Sequence, residues 1–158
     1  MVDIKTEQAI SLEAISTDWL VAPSGALASD DDLATAFRIA LLTDRRALAD
    51  DELPDDGDDL RGWWADLEAE EIWNGWPIGS RLWLLGRAKI TAETVARAEQ
   101  YCQEALQPFI GRRIVSRIDI VLERIGQASI GGTIMAYRGP ARAVDLRFEE
   151  LWNEVRSR

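Results

Sequence analysis

The residues with the most chemical potential in this chain are its carboxylates. Seven of the ten residues from 50 to 59 are acidic, in the run Asp50-Asp51-Glu52-Leu53-Pro54-Asp55-Asp56-Gly57-Asp58-Asp59. Hard cations such as calcium take several carboxylate oxygens, so the run invites a calcium reading. The spacing fails that reading. With Gly57 at the glycine position of a calcium loop, the ligand positions fall on Glu52, Pro54 and Asp56, and the closing glutamate becomes Trp63. The expectation is therefore an acidic loop over 47–62 with no metal. It has too little apolar surface to offset its ordering entropy, so it should be solvated or fold only against a partner. Facing carboxylates could also hydrolyse a glycosidic bond. The chain has 28 acids, and no pair is marked out as buried in a cleft. A carboxylate-dependent muramidase or other glycosidase is kept as the alternative function.

Other chemistries are excluded by composition. The 158 residues include no histidine, so Ser-His-Asp and Cys-His arrangements are impossible within the chain. One cysteine, Cys102, builds neither a zinc site nor a disulfide framework. Cys102 lies on an apolar stripe and reads as a small core residue. The net charge of −10 argues against nucleic acid, because nothing supplies a basic stripe for phosphates. No apolar run approaches the ~20 residues of a membrane span. The N-terminus lacks a basic n-region and a long apolar core, so no signal peptide and no membrane insertion are expected. The segment Gly126–Gly132 matches neither glycine-rich phosphate fingerprint, since strands flank it on both sides. No catalytic residue, cofactor or metal ligand is nominated.

What remains is a surface for proteins. There are seven tryptophans, five of them between residues 63 and 83. Arg61-Gly62-Trp63-Trp64 follows the acidic loop at once, and Asp44-Arg45-Arg46 precedes it. Arginine and tryptophan are the side chains that carry interface hot spots. The interface candidates are Asp44, Arg45, Arg46, Arg61, Trp63, Trp64 and, at a later turn, Arg138. A second reading has Arg45 or Arg46 folding back on the acidic loop while the tryptophans plug a core gap. Both can hold at once.

These residues need elements to position them. Residues 1–28 are weakly patterned and suggest one or two short strands or an arm, with a turn at Pro23-Ser24-Gly25. A first helix opens at Ser29-Asp30-Asp31-Asp32, where acids complement the dipole, and buries Leu33, Ala36, Phe37, Ala40 and Leu41. Residues 67–77 are mixed. Ser80 caps a short helix through Leu85, ended by Gly86. Thr91 caps the main helix, with Ile90 and Val95 as a hydrophobic staple and Glu93 near the positive end. Its stripe is Val95, Ala98, Cys102, Ala105, Leu106 and Phe109. Pro108 should stop it near Gln107.

After Gly111 the period becomes two. Ile114, Ser116, Ile118, Ile120 and Leu122 share a face, which predicts a half-buried strand. A second run covers 133–137, Arg138-Gly139-Pro140 turns, and a third run puts Val144, Leu146 and Phe148 on one face. The tail, with Leu151, Trp152 and Val155, is a terminal helix or docking arm. The predicted fold is one α+β domain over 1–158: two main helices plus short helices packed on a C-terminal antiparallel β-meander.

The run DDLATAFRIALLTDRRA, the acidic loop, RGWWAD, and GSRLWLLGRAKITAET leading into the long helix resemble the gene-product-forty-six family of Mu-like phages. The resemblance covers roughly residues 15–152. That family is similar in turn to the small W-like, or lysozyme-like, wedge subunit of contractile-tail baseplates. The resemblance implies a helix, a long helix and a β-meander in that order. It implies a structural subunit of the virion tail baseplate, assembled in the bacterial host cytoplasm. Its partners would be tube, sheath and other wedge subunits, with the first sheath ring templated on it.

Overall fold

In the computed structural model, the described residues are 3–4, 6–10, 15–19, 29–30, 32–54, 57–64, 66 and 74–157, with side chains described from residue 33 onward. The expected turn at Pro23-Ser24-Gly25 lies outside them, as do Asp31, Trp73 and most of 67–77. Near the N-terminus four short strands form two antiparallel pairs. β1 (Asp3–Ile4) pairs with β4 (Ser29–Asp30), and β2 (Thr6–Ile10) pairs with β3 (Ile15–Trp19).

Helix α1 (Asp32–Leu42) starts later than expected, because Ser29 and Asp30 pair in β4; it buries Leu33, Phe37, Ala40 and Leu41 at helical spacing, with Ala36 only half-buried. The short helix is a 3-10 turn at Leu82–Leu85, with all four side chains buried. Arg81 holds the N-cap position, yet the Ser80 hydroxyl accepts from Leu82 N–H, the first amide of the turn, at 3.3 Å and donates to the Leu41 carbonyl at 2.5 Å. The same hydroxyl closes the turn and ties two segments.

Helix α2 (Ala92–Gly111) begins as its sequence requires. Thr91 accepts from the Thr94 amide, the Thr94 hydroxyl accepts from the Thr91 amide, and Ile90 is buried at the staple position. Ala98, Cys102, Ala105 and Leu106 are buried, together with Tyr101. The helix does not stop at Gln107. It runs through Pro108 to Gly111. Proline removes one helical donor, and the following turn stays helical because Phe109 is held by the core, its ring 4.7 Å from Phe37. The last carbonyls are then closed by Arg113 N–H to Ile110 and Ile114 N–H to Phe109.

The meander is β5 (Arg117–Ile125), β6 (Ser129–Arg138) and β7 (Ala141–Arg147), all antiparallel in that order. The first strand starts later than its alternation suggests. Ile114 and Ser116 lie in the turn and are exposed, and Val115 is the residue buried there. From Ile118 onward the expected face holds: Ile118, Ile120 and Leu122 pack on the core with Ile134, Ala136, Val144 and Leu146. Gly132, at φ +136°, lies so close to the Val121 carbonyl that a Cβ would sit 2.0 Å from that oxygen. The tail is helix α3 (Phe148–Ser157), which buries Phe148, Leu151, Trp152 and Val155. Phe148 therefore opens a helix rather than ending a strand. Among the described residues, no helix is long and apolar enough to cross a membrane. The arrangement is α+β, with the strands of the meander toward the C-terminus.

Candidate functional site

The acidic loop begins where α1 ends. After Leu42 the chain runs beside residues 79–80. Ser80 N–H donates to the Thr43 carbonyl at 2.9 Å, and Arg45 N–H donates to the Ser80 carbonyl at 3.0 Å. Gly79 permits this approach, since a Cβ there would fall 2.5 Å from the Thr43 oxygen. Ala47 N–H then donates to the Leu60 carbonyl at 2.9 Å, closing the loop at its base.

The loop is not simply solvated. Asp51 turns inward, accepts from Leu48 N–H, and takes both oxygens to Arg81 at 2.7 and 2.9 Å. The other Arg81 nitrogen donates to Glu104 on α2 at 2.6 Å. Arg81 also lies over the Tyr101 ring, 4.6 Å from its centroid. Burial works against the guanidinium charge, and the hydrogen bonds Arg81 donates to Asp51 and Glu104, with their negative charge, outweigh it, so the Arg81 pKa is raised. Leu53 and Leu60 pack on the core from the same loop. The sequence shows seven acids among ten residues but cannot display the buried cation that draws Asp51 inward. The remaining described acids, Asp50, Glu52, Asp58 and Asp59, are exposed.

Of the seven interface candidates, six converge. Arg61, at φ +49°, turns its guanidinium back to Asp44 at 2.6 Å and stacks 4.5 Å over the Trp83 ring. Trp83 Nε1–H donates to the Arg45 carbonyl at 2.8 Å. Arg45 lies 5.2 Å over Trp76, and burial lowers its pKa, with Glu104 opposing and Arg81 adding to the fall. Arg46 is exposed. Trp63 is half-buried, Trp64 is 78% exposed, and their rings are 5.8 Å apart. Arg45, Arg46, Arg61, Trp63 and Trp64 line one open groove of about 460 Å³ with Asp66 and Pro77.

Asp66 was not singled out in the sequence, although it stands in the RGWWAD run. It accepts from Ile78 N–H at 2.9 Å, while its second oxygen is buried without a partner. Burial raises its pKa, against the Ile78 bond and Arg45. Asp66 is the one acid among the described residues lining this groove, so the paired carboxylates of a glycosidase are not assembled there.

Arg138 is elsewhere. It sits at the β6–β7 turn and donates from Nε to the Ile114 carbonyl at 3.2 Å. It lines a separate hollow with Ile110, Arg113, Ile114, Val115 and Ser116.

Residues 33–142 match the family model described as phage protein GP46. The baseplate protein gp46 of Escherichia phage Mu is 46% identical over 127 residues, 80% of this chain and 84% of that protein. The Mu-like prophage FluMu protein gp46 of Haemophilus influenzae is 32% identical over 102 residues, 65% of each chain.

Proposed function

The chain belongs to the phage protein GP46 family, and from that membership we propose that it is a structural component of a Mu-like contractile-tail baseplate. It acts as one domain, located in the virion baseplate after assembly in the host cytoplasm. As a wedge-type subunit it contacts tube, sheath or other wedge proteins and has no catalytic role. The 46% identity to a baseplate protein, over most of both chains, is the observation that carries this reading.

The surfaces suit such a role. Trp64 is a large apolar side chain left in water beside a half-buried Trp63, on a frame pinned by Arg61, Asp44 and Trp83. A rigid Arg/Trp surface loses little side-chain entropy when a partner covers it. The outer edge of β5 is nine residues long and pairs with no other described strand. It can accept a strand from a neighbour through main-chain hydrogen bonds.

Changing Trp63 and Trp64 together to Ala tests the groove. The double variant should stay folded by circular dichroism and fail to complement a phage lacking this gene, with tails arrested before the sheath. Normal tail yield from a folded double variant removes the groove from the interface. The muramidase alternative has no counterpart in the names of the relatives, and a turbidity assay on cell-wall substrate would revive it if clearing were seen.

A further inference from the structure

Three non-glycine residues among those described have positive φ: Arg61, Asn74 and Arg113. Asparagine tolerates the left-handed region. Arg61 has a reason in its own molecule, since the bend delivers its side chain to Asp44 and Trp83. Arg113 has neither excuse. At φ +59° it occupies the residue after the C-cap of α2, in the two-bond closure where glycine is favoured. Its guanidinium is exposed, and no ion pair or hydrogen bond holds it among the described residues. The backbone disfavours a side chain here, and the fold makes no use of the one it has.

A local rule broken without an internal gain points outward. Around Arg113 lies a hollow of about 510 Å³. Arg138 stands on its rim with Nε spent on Ile114 and no carboxylate partner among the described residues. Ile110 and Ile114 leave 36% and 39% of their surface in water on the same hollow. Among the described residues no acid lines it, in a chain with ten more acids than bases. Two unneutralised guanidinium groups beside two branched aliphatics are complementary to a segment that alternates carboxylates with aliphatic side chains.

We propose that the hollow of Ile110, Arg113, Ile114 and Arg138 is a second docking site, which takes an acidic, aliphatic segment of another protein. That this segment comes from a neighbouring tail subunit rests on the baseplate reading; the chemistry of the site does not. The site shares no residue with the tryptophan groove, so both can be occupied at once.

The test uses the purified chain and two probe hexapeptides, one alternating Leu and Glu and one alternating Leu and Lys. The Arg113 and Arg138 Nε–H signals are followed by NMR. The Leu–Glu peptide should shift both signals saturably, and the Leu–Lys peptide should shift neither. Arg113→Gly should melt no lower than wild type and bind the Leu–Glu peptide at least tenfold more weakly. Arg138→Gln should weaken it without changing the fold. Equal shifts from inorganic phosphate would mean a general anion site, and self-association of the chain that Arg113→Gly abolishes would mean a second copy is the occupant. Either overturns the proposal, as does unchanged peptide binding by Arg113→Gly. Because the peptides replace the tail, a failed complementation by the Trp63/Trp64 variant and a failed peptide titration are independent results.

Discussion

Arg81 and Asp51 share a two-bond pair at 2.7 and 2.9 Å, with both side chains less than a tenth exposed. The pair joins the acidic loop to the 3-10 turn, and the second arm of Arg81 joins both to α2 through Glu104. One guanidinium thus ties three parts of the chain that are far apart in sequence. It also stands behind the frame of the tryptophan groove, since the loop closed by Ala47 and Leu60 leads directly into Arg61.

Removing that cation should be costly. Arg81→Met keeps the volume over Tyr101 and leaves Asp51 buried without a counter-charge. Breaking a buried pair from one side costs about 3–5 kcal/mol. Chemical denaturation should show a loss of that order, and Arg81→Met with Asp51→Leu should recover part of it. A loss below ~1 kcal/mol for the single variant would show that the loop is not held by this pair.

Asp66 sets a pH dependence of the opposite sign to the usual carboxylate. Burial raises its pKa in the folded chain above the ordinary aspartate value of 3.8. The folded state therefore holds this proton more tightly than the unfolded state. Its contribution to stability is fully present below the unfolded value and is lost as pH rises through the folded one. Asp66→Asn keeps an oxygen for Ile78 N–H and removes the charge. The variant should melt at or above wild type at pH 7, with the difference vanishing below about pH 3.8. A variant that melts lower at pH 7 would mean the ionised carboxylate is favourable in place.

Gly132→Ala places a methyl against the Val121 carbonyl at a φ alanine rarely adopts. The backbone conformation alone costs about 1–3 kcal/mol, and the clash adds to it. The β5–β6 ladder should lose amide-exchange protection around Val121 and Leu122 before α1 does. Uniform loss across the chain would mean that the meander and helices open as one unit.

Much of the fold is legible because it is local. The Thr91 cap, the stripe from Ala98 to Leu106 and the alternation from Ile118 to Leu122 each follow from periodicity and hydrogen-bonding capacity within a few residues. Where reading fails, a distant contact outweighs a local rule. Pro108 should end α2, but Phe109 is held against Phe37 and the helix goes on. Ser80 serves the first amide of the 3-10 turn as its type suggests, but its own proton goes to the distant Leu41 carbonyl, which no local rule foretells.

The candidate site divides the same way. Residue types near 44–46 and 61–64 flag an arginine and tryptophan surface, and the structure brings six of the seven nominees together. Neither tryptophan fills a core gap outright, since Trp63 is half-buried and Trp64 is in water. Charge, the absence of histidine chemistry and the order of the main helices and the meander follow from composition and near neighbours alone. Long-range packing is what buries the Asp51 side chain, joins Asp66 to the groove, sets Arg138 beside Arg113, and seats Arg113 where glycine belongs. Each of those depends on which distant backbone or charge comes within a few ångströms, and no spacing along the chain encodes that distance.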